Sequence, residues 1–253
     1  MVIRVFNIVF WLLILLIILL IVGLYFILKN KSEKIKIIVL SAISVFNIIF
    51  FFVYKVWLSK DAEFLEISNL EKFNWWSELP LHLCNISMFM IPIALIFKLD
   101  SLKSYVFFIS TLGAFMAMCF PERAFTDSNI FLLRNIGFYG THIIICVLGI
   151  SVVTLGLYKP TLKGIHKPVL TALFLASIMF VVNTILRNTV SPEANYFYTY
   201  QTDILLLSTF WEWLSIPLLY EVFTILILIP YCLLILGIYK IFTKKGKMFN
   251  EEN

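Results

Sequence analysis

The chain has 253 residues, of which 61% are hydrophobic, 14% are charged and 25 are phenylalanine. That is more apolar material than a water-soluble domain of this length carries, and it excludes an ordinary soluble globule. The formal charge of +5 comes from lysines in short loops and in the tail, a pattern that sets orientation and meets anionic headgroups rather than nucleic acid.

Long unbroken apolar runs predict helices that satisfy their own backbone hydrogen bonds in lipid. The alternating ten-residue segments of a transmembrane β-barrel do not occur. The expectation is an all-α, polytopic transmembrane bundle: a single domain, 1–253, with seven helices. The first covers about 5–28; it is longer than a signal-peptide core and has no small-residue cleavage pattern, so it reads as retained. The second covers about 35–58, with Lys55 near its end and able to snorkel. An acidic loop leads to the third, about 79–97, where Ser77 is the expected N-cap and Pro80 falls in the first turn. Pro92 should kink this helix.

The fourth and fifth helices cover about 102–120 and 136–158, and the sixth about 168–186. A long connection, about 187–216, follows; its apolar middle, 204–214, is too short to span and reads as interfacial or re-entrant. The seventh helix covers about 217–241 and contains Pro230. Thirteen of the twenty Lys and Arg fall in the loops after helices one, three and five and in the tail, including Lys244, Lys245 and Lys247. The positive-inside rule then places the N-terminus outside and the C-terminus in the cytoplasm of a multi-pass cell-membrane protein.

Polar side chains in such a background are costly and are placed for a reason. Within the third helix Cys84 falls roughly 8 Å from its outer end, and His142 falls roughly 9 Å into the fifth from the same side. Asn183 and Glu221 sit about one turn from the outer ends of helices six and seven. The loop with Asn195 and Tyr196 is long enough to cover all four. Polar groups at one depth also serve as ordinary interhelical hydrogen bonds. A Cys and a His at matching depth, however, suit nucleophilic acyl transfer: a thiolate attacks while the imidazole moves the proton. Asn85 or Asn183 are candidate donors to the oxyanion. His82 is two residues from Cys84, on a different helical face, and reads as a partner for headgroups or for Glu78.

Cys84, Cys119, Cys146 and Cys232 have no C-x-x-C spacing, which argues against a zinc site or disulfide framework. No Gly-rich phosphate loop and no carboxylate/His cluster suited to a metal is present, so the expectation is no cofactor and no metal, with membrane lipids as partners and no nucleic acid.

The run Glu78-Leu-Pro-Leu-His-Leu-Cys84-Asn85, with Thr141-His142, Asn183 and Asn195-Tyr196 later, resembles the YwaF-type bacterial integral membrane proteins. The resemblance covers roughly 76–220. The wider family includes animal membrane acyltransferases that move fatty acyl chains between phospholipids, and a Cys and a His are their proposed catalytic pair. The resemblance implies a lipid acyltransferase or acyl hydrolase with Cys84 as nucleophile and His142 as base; His82, Asn85, Asn183, Asn195, Tyr196 and Glu221 are the candidate residues for binding or orienting substrate. The run Thr209-Phe210-Trp211-Glu212-Trp213 departs from the family's Gly- and Pro-richer loop. The competing expectation is a transporter or substrate-binding protein without covalent chemistry, its polar pocket walled by Trp75, Trp76, Trp211 and Trp213.

Overall fold

The computed structural model describes residues 1–251, and the side chains of all of these except Leu205 and 244–251. The tail lysines Lys244, Lys245 and Lys247 therefore lie outside the described side chains. The described chain is mainly helical. Its only sheet is a two-stranded antiparallel pair, β1 (Val2–Ile3) and β2 (Ser128–Asn129).

Helix α1 (Ile8–Leu28) starts at Asn7, whose side chain accepts from the Phe10 N–H at 3.0 Å. Helix α2 (Glu33–Leu58) starts at Ser32, which caps the Ile35 N–H, with Glu33 favourably placed in the first turn. A short helix, α3 (Ala62–Ile67), capped by Asp61, lies within the acidic loop. Next come α4 (Leu83–Ile96), α5 (Asp100–Tyr105) and α6 (Thr111–Cys119), with a π-helical turn at Val106–Ser110 joining the last two. Then follow α7 (Leu133–Thr154), α8 (His166–Arg187), the nine-residue α9 (Leu205–Trp213) and α10 (Ile225–Glu251).

Among the described residues, six stretches are long and apolar enough to cross a membrane: α1, α2, the continuous α5–α6, α7, 162–187 and 219–243. The molecule is a multi-pass membrane protein. The third expected helix is shorter than its sequence suggests. Its N-cap is His82, not Ser77, and Pro80 lies ahead of it. With 14 residues α4 is about 21 Å long. The residues 79–82 instead form a turn held by loop contacts described below.

Pro92 sits inside α4 and removes the backbone donor for the Met88 carbonyl, four residues back. Ser44 of α2 supplies the missing hydrogen bond, its hydroxyl donating to Met88 O at 2.7 Å. This is the kind of substitution a helix needs where water is excluded. The carbonyls around the π-helical turn are likewise met by side chains: Tyr231 donates to Phe108 O at 3.1 Å and Thr111 to Val106 O at 3.4 Å.

Helix α7 is central, with two-thirds of its apolar window buried (67%), against 17% for the lipid-facing α1. It packs on α1, α2 and α6. One buried cluster joins α1, α2 and α7 through Phe10, Phe51 and Tyr139; another joins α4, α5, α8 and α10 through Leu95, Tyr105, Leu175 and Cys232. Gly137 lets the Tyr54 ring lie directly against α7, since a Cβ there would meet it at 2.3 Å.

Candidate functional site

At the end of the bundle where β1 pairs with β2, three long connections converge: 59–82, 120–132 and 188–218. Beneath them lies a cavity of about 550 Å³. Its wall contains Cys84, Asn85, His82, His142 and Glu221 together, which the sequence places on separate segments or separate faces.

Cys84 is the second residue of α4. The first backbone bond of that helix runs from the Ile86 N–H to the His82 carbonyl, which leaves the N–H groups of Leu83, Cys84 and Asn85 without helical partners. The positive end of the helix dipole and these free donors lie at the residue that carries the sulfur, where they stabilise an oxyanion forming on a bound carbonyl.

His142 of α7 is buried, and its Nε2 lies 3.3 Å from Cys84 Sγ. Its Nδ1 is 2.7 Å from the Phe138 carbonyl. A carbonyl only accepts, so Nδ1 carries the ring proton and Nε2 presents its lone pair to the thiol. The imidazole is thereby held in the tautomer that takes a proton from sulfur.

Gly113 of α6 leaves room for Leu83: a Cβ there would meet Leu83 Cδ2 at 2.4 Å, while Cys84 Cβ, at 4.0 Å, would be in ordinary contact.

The remaining expected residues divide in two. Asn85 lies beside the sulfur, its Oδ1 3.9 Å from Cys84 Sγ. His82 packs its ring against Tyr196 and Tyr198, with centroids 5.0 and 5.5 Å away. The expected His82–Glu78 pairing is replaced: Glu78 is the ion partner of Lys55. Lys55 does not snorkel. It is only 7% exposed and faces the cavity, 5.1 Å from the Tyr54 ring centre.

Asn183 is fully buried but is not in the cavity wall. Its Nδ2 donates to Tyr196 O and Thr199 Oγ1, both at 2.8 Å, and its Oδ1 accepts from the Tyr196 N–H at 2.9 Å. It holds the 195–199 turn and is not placed to serve the oxyanion. Tyr196 passes this anchoring on: its hydroxyl donates to Trp76 O at 2.5 Å and accepts from the Leu79 N–H at 3.1 Å. Burial pushes its phenol up to about 12, so it stays a neutral donor. Asn195 ties its own loop, bonding the backbone of Tyr200 and Gln201. It also lines a separate polar recess of about 290 Å³. That recess shares Ser77, His82, Glu122 and Tyr198 with the main cavity.

Sequence reading passed over Lys55, Glu122, Tyr198 and Gly113 as site residues. Glu122 follows Pro121 in a polar loop; burial, reinforced by the Glu78 carboxylate and opposed by Lys55, raises its carboxyl above the usual range. Phe197 and Tyr198 both adopt left-handed backbone angles (φ 58° and 59°), a conformation bulky residues rarely take. The Tyr220 hydroxyl, bonded to the carbonyls of Tyr198 and Tyr200, holds them there. The four tryptophans expected as pocket walls, Trp75, Trp76, Trp211 and Trp213, are not in the wall of the cavity. Among the described residues, no group of three or more His, Cys, Asp or Glu is arranged to hold a metal ion.

The chain matches no curated protein and no solved structure. The model of the TMEM164 family matches residues 4–239. An apolar helical chain with a cysteine and a histidine in contact at one end of its bundle thus belongs to the TMEM164 family.

Proposed function

We propose that the protein is a membrane-embedded lipid acyltransferase or acyl hydrolase that works through an acyl-cysteine. The observation that carries this reading is the 3.3 Å contact between His142 Nε2 and Cys84 Sγ inside a cavity set among membrane-spanning helices. The resemblance of residues 78–85 to the YwaF-type motif supports it.

In the proposed cycle His142 Nε2 takes the thiol proton as sulfur attacks the carbonyl carbon of a lipid ester. The oxyanion forms next to the free N–H groups at the start of α4 and the Asn85 side chain. The intermediate collapses by breaking the carbon–oxygen ester bond. The leaving alkoxide takes the proton from His142, and a thioester remains on Cys84. An acceptor hydroxyl, or water, then gives its proton to His142 and attacks the thioester. The acyl group leaves on the acceptor and the proton returns to sulfur.

Within the same proposal the chain is one transmembrane domain, 1–253, that crosses the cell membrane seven times. The short α4 completes the count, and the N-terminus and the site face outward. The excess of lysines at the opposite end supports this orientation.

Intact-protein mass spectrometry after incubation with phospholipid tests the chemistry. Wild type is expected to gain a fatty-acyl mass that Cys84→Ala does not. An adduct that forms equally on Cys84→Ala sinks the assignment. Uptake or retention of a small ligand that survives Cys84→Ser, with no adduct on wild type, would instead establish binding without covalent chemistry.

A further inference from the structure

The cavity wall has a polar part and an apolar part. Ser77, Glu78 and Glu122 line the polar part. Gly113 and Ala117 of α6, Ala172 and Leu173 of α8, and Leu228 of α10 line the apolar part, or arm. Ala172 lies 15 residues before Arg187, the loop-side end of α8, or about 22 Å along the axis. Along α8 the apolar wall therefore reaches past Cys84 towards the middle of the bundle, while Ala117 and Leu228 lie nearer the loop-side ends of their helices.

The arm also has a side opening. Met116 of α6 and Phe120, the residue just after that helix, line the cavity and yet are 42% and 74% exposed. Facing the same cavity, Ile204, just ahead of α9, is 42% exposed. These exposed wall side chains mark a gap between α6 and the start of α9. In a bilayer that gap faces lipid.

Two wall groups lack partners. Thr141 Oγ1 and Glu221 Oε1 are buried, at 1% and 7% residue exposure, and make no hydrogen bond among the described residues. Buried polar atoms of this kind are costly unless something satisfies them. A pure hydrocarbon would not, whereas an ester oxygen would accept from the Thr141 hydroxyl and a free glycerol hydroxyl would donate to Glu221 Oε1.

From these features we infer that the cavity is filled sideways from the bilayer, through the opening between α6 and α9, by one acyl chain of a membrane lipid ester. The chain lies in the arm bounded by Gly113, Ala117, Ala172 and Leu228, and an ester oxygen accepts from Thr141. Ala117 and Ala172 are the specificity-determining positions: their small side chains set how much chain the arm admits. A volume of about 550 Å³ falls within the roughly 300–1,000 Å³ of ligand pockets. The inference rests on the acyl-transfer reading for its choice of an ester, but not on any bond to Cys84.

The test uses the full chain in nanodiscs that contain a phospholipid with a photoreactive diazirine in its acyl chain. The Cys84→Ala protein is irradiated and the labelled residues are mapped. Labels are expected on the arm residues of α6, α8 and α10 above the level found on the lipid-facing side of α1. Ala172→Phe, and separately Ala117→Phe, should each lower arm labelling by about tenfold, equivalent to about 1.4 kcal/mol of lost binding, while α1 labelling stays constant. Two positions are used so that one variant that misfolds does not decide the matter. Arm labelling no higher than that of α1, or unchanged in both folded variants, overturns the proposal. Arm labelling without any acyl-cysteine on wild type would refute the chemistry and leave the binding site standing. An acyl-cysteine with no arm labelling would do the reverse.

Discussion

Lys55, in an apolar stretch of α2, and Glu78, from the loop ahead of α4, form an ion pair in the cavity wall. Only 9% of the lysine side chain and 25% of the glutamate side chain are exposed. The pair joins a membrane-spanning helix to the motif that carries Cys84, six residues further on. Lys55→Ala strands a half-buried carboxylate. Breaking a fully buried pair costs about 3–5 kcal/mol, and the partial exposure of Glu78 puts this one at or below the low end. Thermal unfolding in detergent should show the loss, and Lys55→Met with Glu78→Gln should recover part of it. A double variant that loses as much as the two singles added together would show that the residues are not coupled.

His142→Ala removes the proton acceptor but leaves the sulfur and the cavity. Acyl-cysteine formation should slow by about 10²–10⁴-fold, followed as the rate of adduct appearance. His142→Ala with the wild-type rate would mean that another group, or water, takes the thiol proton.

Gly113→Ala tests the contact between α6 and α4. The new methyl would stand 2.4 Å from Leu83 Cδ2, and overpacking of this kind costs about 1–3 kcal/mol. Because Leu83 precedes Cys84, adduct formation should fall further than stability does. Leu83→Ala in the same chain should relieve the clash and restore part of the rate. If it restores nothing, the overlap is not what harms the site.

Glu193 gives a pH-dependent prediction. Its own backbone N–H holds its carboxyl below the usual glutamate range, helped by Ser77, Ser191 and Asn74 and opposed by slight burial. Asn74, Ser77 and Ser191 all bond its Oε1, so this carboxylate links the 74–77 segment to the 191–193 segment. A depressed value means that the folded state binds fewer protons, so the stabilisation is present above about pH 4.3 and fades as pH falls through the lower folded value. Hydrogen-exchange protection of residues 188–200 should drop over that acidic range. In Glu193→Gln it should be lower at neutral pH and nearly flat with pH. Equal protection in wild type and variant at pH 7 would count against the link.

Asn183→Leu deletes three hydrogen bonds to the 195–199 turn. Each buried group left unpaired costs about 1–3 kcal/mol. The same turn should then exchange amide hydrogens faster, while α1 and α2 are unaffected. A variant with wild-type protection would place the anchoring elsewhere.

The membrane class was legible because twenty-residue apolar runs have few other uses. The Cys84–His142 contact was approachable because depth along a helix counts residues, and polar groups at equal depth in an apolar bundle tend to meet. Rotation about each helix axis is harder to read. Asn183 matched the others in depth, yet its side chain turns to the backbone of its own loop. Lys55 looked like a residue that reaches for headgroups, because sequence alone does not reveal that Glu78, 23 positions away, folds in to meet it. The start of α4 was misplaced by four residues because Ser77 and Pro80 carry good helix-start chemistry. Tertiary bonds from Tyr196 to Trp76 and Leu79 draw those residues into a turn instead.

The π-helical turn at Val106–Ser110 acts as a phase shifter between α5 and α6. A regular helix advances about 100° per residue, and a π turn holds one residue more than an α turn in the same rise. The face that α5 shows to α8 and the face that α6 shows to Cys84 are therefore offset in angle, although the backbone is continuous. Removing any one residue between 106 and 110 would reset the angle. Gly113 and Ala117 would swing about 100° around the axis and bulkier neighbours would take their place beside the sulfur. The length of that five-residue turn is a determinant of the site in its own right, independent of which side chains fill it.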